Sequence, residues 1–274
     1  MELNCRYYSL RYTAAASASE YRQRHRKIRL SAARTALVLV DTWEFRDMEE
    51  YTFVPGVPRR DYQEIYAPIV LDRIRPALEA ARRLGLTVAY LPSGYVAERY
   101  PRHRLRVPRT SKQAGTPGKR RSPAWPPGEL VDRRSRQYFM RDRYGEEAQR
   151  IDAIRRERTY IHSLLEPRDG EFVLANREEL HHLLAERGIA DLLYCGFALN
   201  MCLLDKPGAI RDMSVGYGLG YRCILLRDCT AAAESNHSIA GMLMTRCWIE
   251  WYEMAVGYST TSRQLIAASR GKRT

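Results

Sequence analysis

The chain has 274 residues and 45% of them are hydrophobic, so it can bury a sizeable core and does not have a disordered composition. Its formal net charge is +13, yet no apolar run approaches the roughly 18 residues of a membrane span. The N-terminus lacks the apolar stretch of a secretory signal, and the six cysteines form no CxxC pair and no disulfide-like spacing. These features predict a cytoplasmic protein with reduced thiols and no membrane partner.

The positive charge is concentrated in two segments. Residues 1–34 contain eight basic and two acidic residues, and residues 101–136 contain eleven basic and two acidic residues. We therefore divide the chain into an N-terminal basic extension, residues 1–33, and a domain of residues 34–274 that an insertion interrupts at about 95–157. The basic segments show no helix-turn-helix pattern and no interleaved aromatic residues, so we predict no specific nucleic-acid partner.

Beyond residue 33, apolar runs of strand length alternate with segments of helical periodicity. The predicted strands are residues 34–41, 86–94, 170–175, 190–198 and 221–228, and the predicted helices are residues 66–85, 177–188 and 238–255. Within the insertion, a first part rich in Pro, Gly and Arg is predicted to be a long loop, whereas residues 129–158 are predicted to be helical. The alternation predicts an α/β fold with a mostly parallel, doubly wound sheet.

Polar residues follow three of the predicted strands. Asp41 ends the first strand, Asn176 follows the third, and a turn from Phe197 to Cys202 follows the fourth. Ligands of open parallel sheets bind at the carboxyl ends of the strands. We therefore expect the side chains of Asp41, Asn176 and Cys202 to share one cleft.

Cys202 ends the stretch GFALNMC, residues 196–202, where an apolar strand gives way to a helix. Free N–H groups and the dipole at a helix N-terminus favour the thiolate, which is the nucleophilic form of cysteine. Asp41 is the best-placed carboxylate to accept the thiol proton, and N–H groups of residues 198–202 could receive an oxyanion. From these residues alone, an inert buried cysteine and an aspartate that only caps a turn remain equally open.

Three stretches resemble motifs of the isochorismatase-like cysteine hydrolases. They are TALVLVDTW at residues 35–43, GFALNMCL at 196–203 and LLRDCTAAA at 225–233. The resemblance implies a three-layer α/β/α fold, often in a homo-oligomer, with Asp41 as the base and Cys202 as the nucleophile. It also implies a cis peptide bond between Phe197 and Ala198.

Members of that family cleave C–N bonds of small amides, N-carbamoyl compounds and ureides. The resemblance therefore implies a hydrolase that acts on a small-molecule substrate through a thioester at Cys202. We expect Trp43, Phe45 and Asn200, together with Phe197, to contribute to the substrate pocket. The alternative is a catalytically impaired member that binds a metabolite or serves as an assembly protein.

Two departures from the family pattern bear on activity. The lysine of the family's triad follows the third strand, and that position is Asn176, which has no charge. Lys206 and Arg177 are possible replacements for this lysine. Pro207 and the glycine after it predict that a regular helix begins near Lys206, with Cys202 on a preceding tight turn.

The sequence predicts neither a metal nor a cofactor. His103 stands alone after the second predicted strand, and the consecutive rings of His181 and His182 point in different directions on a helix. The chain has no glycine fingerprint for a dinucleotide and no Walker motif.

Overall fold

The structure, a computed structural model, describes residues 1–12, 19–46, 61–105 and 148–271. Its strands are β1 (Glu2–Tyr12), β2 (Ser19–Arg29), β3 (Thr35–Val40), β4 (Trp43–Phe45), β5 (Thr87–Leu91), β6 (Thr159–Ile161), β7 (Phe172–Val173), β8 (Asp191–Phe197), β9 (Arg222–Ala231) and β10 (Tyr258–Thr260). Eight of them form one sheet in the order β2-β1-β10-β9-β8-β3-β5-β7. The six strands from β10 to β7 are parallel, and β4 pairs with β6 in a separate antiparallel ribbon.

The helices connect these strands. They are α1 (Arg75–Leu84), α2 (Gly94–Ala97), α3 (Ala148–Arg158), α4 (Arg177–Glu186), α5 (Cys202–Asp205), α6 (Ile210–Met213), α7 (Leu243–Ala255) and α8 (Ser262–Arg270). A wider helical segment, residues 61–74, leads directly into α1. Of the helices in the described residues, none is both long and apolar enough to cross a membrane.

The central strands are buried on both faces, as their continuous apolar runs predict. In β3, Leu37 and Leu39 point into one apolar core, whereas Val38 and Val40 point into a second core on the opposite face. Helices α1 and α8 cover the first core, and α4 and α7 cover the second, through residues that include Leu78, Leu265, Leu183 and Tyr252. The result is a three-layer α/β/α fold with a mostly parallel sheet, which confirms the predicted fold class.

Several elements differ from the sequence-based expectation. Residues 1–30 were expected only to be a basic extension, but they form the β1–β2 hairpin, which joins the sheet antiparallel to β10. Leu3 and Ile28 of this hairpin are buried in the first core, and Arg6 forms an ion pair with the buried Glu253 at 2.7 Å. Strand β10 and helix α8 were not predicted. Most of the predicted insertion, residues 106–147, lies outside the described residues, and α3 lies within its predicted helical part.

Candidate active site

Asp41 lies directly after β3, at the carboxyl edge of the sheet. Asp41 is 5% exposed, and its φ of 45° turns the chain sharply out of the strand. The Asp41 N–H donates to the Leu91 carbonyl at the end of β5, at 3.3 Å. These features hold the carboxylate between the ends of two parallel strands, as the sequence predicts.

Lys206 supplies the cation of the site. Its Nζ lies 2.6 Å from Asp41 Oδ1 and 3.3 Å from the Leu91 carbonyl oxygen, and its side chain is 13% exposed. The lysine follows α5, four residues after Cys202. Of the two replacements considered for the missing family lysine, Lys206 is the one that reaches Asp41, whereas Arg177 pairs with Glu178 at 3.2 Å.

Cys202 is the first residue of α5, and its thiol lies near enough to the Asp41 carboxylate for that charge to act on it. The residue is exposed, yet the protein around it partly desolvates its sulfur. This burial, followed by the negative charge of Asp41, raises the pKa of the Cys202 thiol to about 12, although Lys206 and Arg155 act in the opposite direction. The expectation of a lowered thiol pKa is therefore wrong.

The helix dipole does not offset these effects, because the helix that begins at Cys202 is short. Helix α5 is a single turn that ends before Pro207, and the next helix, α6, begins at Ile210. One turn has too small a dipole to offset the desolvation of a thiolate. The expected regular helix near Lys206 is absent, because Lys206 itself is extended, with φ −67° and ψ 147°.

The turn that leads to Cys202 contains a cis peptide bond between Phe197 and Ala198, as the sequence resemblance implies. Within the turn, the N–H groups of Leu199 and Met201 donate to the carbonyls of Ala231 and Ala198, at 2.9 and 3.0 Å. These two N–H groups are therefore not available to an oxyanion. Across residues 198–202, that leaves the N–H groups of Ala198, Asn200 and Cys202 as candidates, since none of the three donates to another residue of the described chain.

Asn176 lies at the same edge of the sheet, but its side chain does not enter the site. Its Oδ1 accepts from the Glu179 N–H at 2.9 Å, and its Nδ2 donates to Glu179 Oε1 at 3.3 Å. Asn176 is thus the N-cap of helix α4, a role for which asparagine is among the preferred residues. Of the three side chains expected in one cleft, Asp41 and Cys202 meet there and Asn176 does not.

Aromatic side chains line up behind the cysteine turn. Phe197 stacks on Tyr66 with ring centroids 4.3 Å apart, and Tyr66 packs edge-on against Trp43, which in turn contacts Phe45. Trp43, Phe45 and Phe197 are thus connected through ring contacts, as expected of side chains that form one wall of a pocket. Tyr66 also belongs to this row, and the sequence did not reveal it. Asn200 has a different role.

Asn200 is engaged with the loop after β9. Its Oδ1 accepts from the Ala233 N–H at 2.8 Å and its Nδ2 donates to the Ala233 carbonyl at 3.3 Å. Both hydrogen-bonding groups of the amide hold this loop against the turn that leads to Cys202. Asn200 therefore supports the turn, rather than presenting its amide to a pocket as expected.

The histidines considered in the sequence have other partners. His181 Nδ1 lies 2.8 Å from the Tyr221 hydroxyl, His182 Nε2 lies 3.1 Å from Glu186, and His103 Nδ1 lies 3.2 Å from the Glu171 carbonyl. Within the described part of the chain, no group of three or more His, Cys, Asp or Glu residues could hold a metal ion.

From the sequence, Lys206 was one of two possible replacements for the family lysine, and the charge effect of Arg155 on Cys202 was not anticipated. The available signal for Lys206 was its rarity, because only five of the 45 basic residues are lysines, and its position one helical turn after the cysteine. Arg155 belongs to an insertion with many arginines, so no local pattern distinguishes it. Only the folded chain brings its charge close to Cys202.

No protein-family model matches the chain. Among solved structures, a cysteine hydrolase from Pseudomonas syringae pv. phaseolicola 1448A matches with a TM-score of 0.50 and 18% identity, over 88% of this chain and 95% of that one. An isochorismatase family protein from Desulfovibrio vulgaris subsp. vulgaris str. Hildenborough matches with a TM-score of 0.47 and 16% identity, over 86% and 97% of the two chains. An isochorismatase from Pseudomonas putida KT2440 matches with a TM-score of 0.44 and 17% identity, over 85% and 91%. The match to the cysteine hydrolase establishes the fold, which is the one that the sequence resemblance implies.

Proposed function

We propose that the protein is a cysteine hydrolase that cleaves a C–N bond of a small amide, N-carbamoyl or ureido compound. The observation that supports this proposal is the contact of Lys206 Nζ with Asp41 Oδ1 at 2.6 Å, near the Cys202 thiol, on whose pKa both charges act. A nucleophile, a base and a cation are thereby present together on a fold shared with a cysteine hydrolase.

In the first step, Cys202 Sγ attacks the carbonyl carbon while Asp41 accepts the thiol proton. Because the thiol pKa is raised to about 12, little thiolate exists at neutral pH, so the proton must leave as the C–S bond forms. The N–H groups of Ala198, Asn200 and Cys202 are available to stabilise the oxyanion, and Lys206 places positive charge next to both the carboxylate and the reaction centre. The C–N bond then breaks, and Asp41 passes its proton to the leaving nitrogen.

In the second step, water hydrolyses the thioester that remains on Cys202. Asp41, ionised again, removes a proton from the water as its oxygen attacks the thioester carbonyl. The C–S bond breaks, the acid product is released, and the sulfur regains its proton from Asp41. The cycle needs no oxidant, reductant or second substrate other than water.

The alternative, a catalytically impaired binding or assembly protein, rested on the neutral residue at the family's lysine position. The Lys206–Asp41 ion pair provides a cation in its place, which is why catalysis is the function we favour. The raised pKa of Cys202 is compatible with catalysis only if Asp41 accepts the proton during attack.

Ammonia or amine release from a panel of small amides, N-carbamoyl compounds and ureides tests the proposal. We expect Cys202→Ala to lose at least about a thousandfold in kcat/KM, because the thioester route is closed. Cys247→Ala is the matched control, since Cys247 is the other exposed cysteine and lies on α7. A thioester on the Cys202 peptide, trapped by acid quench and seen by mass spectrometry, would support the mechanism. Full activity in Cys202→Ala, or no turnover on the whole panel, would refute the proposal.

A further inference from the structure

Two elements project from the amino edge of the sheet, which is opposite the candidate active site. The β1–β2 hairpin extends past the start of β10, because β1 has 11 residues and β10 has only three. The second element is the loop of residues 214–221, which precedes β9. A groove of about 410 Å³ lies between them, and its walls include Tyr7 and Tyr8 of the hairpin and Val215 and Tyr221 of the loop. The hairpin and the 214–221 loop therefore belong to one continuous surface.

This surface holds most of the exposed apolar side chains. Eight large hydrophobic residues are exposed in the described part of the chain, and five of them, between 39% and 61% exposed, lie here: Leu10, Tyr21, Val215, Tyr217 and Leu219. Leu10 and Tyr21 are opposite each other in the hairpin. Single exposed apolar residues are common on any protein, but a cluster of them indicates a contact surface.

The 214–221 loop presents its side chains from a defined backbone. The Val215 N–H donates to the Tyr221 carbonyl at 3.1 Å, and the Gly218 N–H donates to the Ser214 carbonyl at 2.9 Å. Gly216 has a φ of 89°, a conformation that glycine adopts without steric cost. The apolar side chains of the loop therefore project to solvent from a turn that hydrogen bonds hold in place.

The hairpin beside these apolar side chains is strongly basic. Its two strands contain seven basic and two acidic residues. Glu2 pairs with Lys27 and Arg29 at one end of the hairpin, whereas Arg24 and Arg26 have no acidic partner in the described residues. Apolar side chains next to unpaired arginines fit an anionic lipid surface, because the apolar groups enter the interface while the guanidinium groups meet the phosphates.

Two other occupants fit this surface less well. A second copy in a symmetric dimer would set the same patch against itself, so the unpaired arginines of both hairpins would face one another and repel. A nucleic acid would satisfy the arginines and could stack its bases on tyrosine rings. However, the aliphatic side chains of Leu10, Val215 and Leu219 would gain little from phosphates. The combination of aliphatic, aromatic and cationic groups favours a lipid surface.

We propose that the hairpin and the 214–221 loop bind the surface of an anionic lipid membrane. Such binding needs no membrane-spanning helix, although it departs from the sequence-based expectation of no membrane partner, which followed from the lack of a spanning run. Asp41 and Cys202 lie at the carboxyl ends of the strands, so the candidate active site would face away from the lipid. The proposal does not depend on the proposed hydrolysis.

Co-sedimentation of the full chain with lipid vesicles tests the proposal. One set of vesicles contains phosphatidylglycerol, which is anionic, and the other consists of phosphatidylcholine alone. We expect binding to the anionic vesicles to be at least about tenfold tighter and to weaken as the salt concentration rises. No binding to the anionic vesicles at low salt would overturn the proposal.

A pair of double variants tests the apolar part of the surface. Val215→Ser with Leu219→Ser should lower the partition coefficient for anionic vesicles about tenfold or more, because two apolar side chains no longer enter the interface. Leu71→Ser with Leu164→Ser is the matched control, since these leucines are exposed to a similar degree but belong to neither element. The control should stay within about twofold of the wild type. Equal losses in the two double variants would overturn the proposal.

A second pair tests the charge. Arg24→Gln with Arg26→Gln should lower binding to anionic vesicles about tenfold or more, because each basic residue near such a surface adds to the attraction. Arg73→Gln with Arg75→Gln removes an equal charge from exposed positions of the helical segment 61–74 and should change binding less than about threefold. Circular dichroism verifies that each variant is folded. A larger loss in the control than in the hairpin variant would overturn the proposal.

Two further measurements separate the lipid surface from the other occupants. Sedimentation velocity would reveal a dimer, and fluorescence anisotropy would reveal binding of a single-stranded oligonucleotide. A dimer that Val215→Ser with Leu219→Ser dissociates, in a protein that does not bind vesicles, would assign the surface to a second copy. Oligonucleotide binding without vesicle binding would assign it to a nucleic acid. Either result would overturn the proposal.

Discussion

Lys206 Nζ and Asp41 Oδ1 lie 2.6 Å apart although 165 residues separate them in the chain. Asp41 directly follows β3, whereas Lys206 follows the one-turn helix α5 after β8. The two strands are neighbours in the sheet, so their carboxyl ends bring the carboxylate of Asp41 and the ammonium group of Lys206 side by side. The cation beside Asp41 thus comes from the segment that contains Cys202, not from the end of β7, where the family resemblance places it.

Replacement of Lys206 should reduce turnover strongly. Lys206→Ala removes the positive charge beside the reaction centre, and the loss of one such charge-stabilising group lowers kcat by about a hundredfold or more. Lys206→Arg, which keeps the charge, should lose less. Steady-state kinetics on the best substrate of the panel, with circular dichroism to verify folding, would measure this. Wild-type kcat in Lys206→Ala would show that the ion pair has only a structural role.

Asn176 should matter for stability and not for turnover. Asn176→Ala removes the N-cap of α4 and should cost about 1 kcal/mol in the free energy of unfolding, with kcat within about twofold of the wild type. Asn176→Lys should be no more active, because Asp41 already has Lys206 as its partner. Urea unfolding and the amidase assay together check both parts. A large gain of turnover in Asn176→Lys would contradict the assignment of Lys206.

The alkylation of Cys202 should depend steeply on pH. Its thiol pKa of about 12 means that the thiolate fraction, and with it the alkylation rate by iodoacetamide, rises about tenfold per pH unit between pH 7 and pH 10. Asp41→Asn removes a negative charge that raises this pKa, so alkylation at pH 8 should become faster while hydrolysis is lost. If the alkylation rate stops rising with pH below pH 8, the thiol pKa is not raised.

The buried ion pair between Arg82 and Glu171 should dominate the electrostatic contribution of α1 to stability. Glu171 accepts from Arg82 Nε at 2.6 Å and from the Tyr90 hydroxyl at 3.1 Å, and its side chain is 9% exposed. Glu171→Ala removes the buried acidic partner of Arg82, leaves only the more exposed Glu79 to pair with it, and should cost about 3 kcal/mol in the free energy of unfolding.

Glu79→Ala is the matched control for that change. Glu79 contacts the same arginine at 2.7 Å but its side chain is 35% exposed, so its loss should cost less than about 1 kcal/mol. Urea titrations of both variants give the comparison. Equal losses in the two variants would show that burial of Glu171 does not decide the effect.

The fold was largely predictable from local patterns. The continuous apolar runs identified β3, β5, β8 and β9, since strands buried on both faces of a sheet need apolar residues at every position. The hairpin of residues 1–30 was not predicted, because Arg and Lys dominate its exposed positions and only a few residues, such as Leu3 and Ile28, are buried. The hairpin becomes part of the sheet only because β1 pairs with β10, which lies 228 or more residues further along the sequence.

Short stretches of the sequence are enough to identify which residues lie at the carboxyl ends of the strands, because apolar runs and the turn residues that end them are local features. They placed Asp41 and Cys202 at two such ends, and the fold brought them together as expected. The tertiary structure alone decided which cation joins them, because the reach of Lys206 depends on where α5 ends and how Leu91 lies next to Asp41. It also decided the pKa of Cys202, since burial and the charges of distant segments are properties of the packed chain and not of any one stretch.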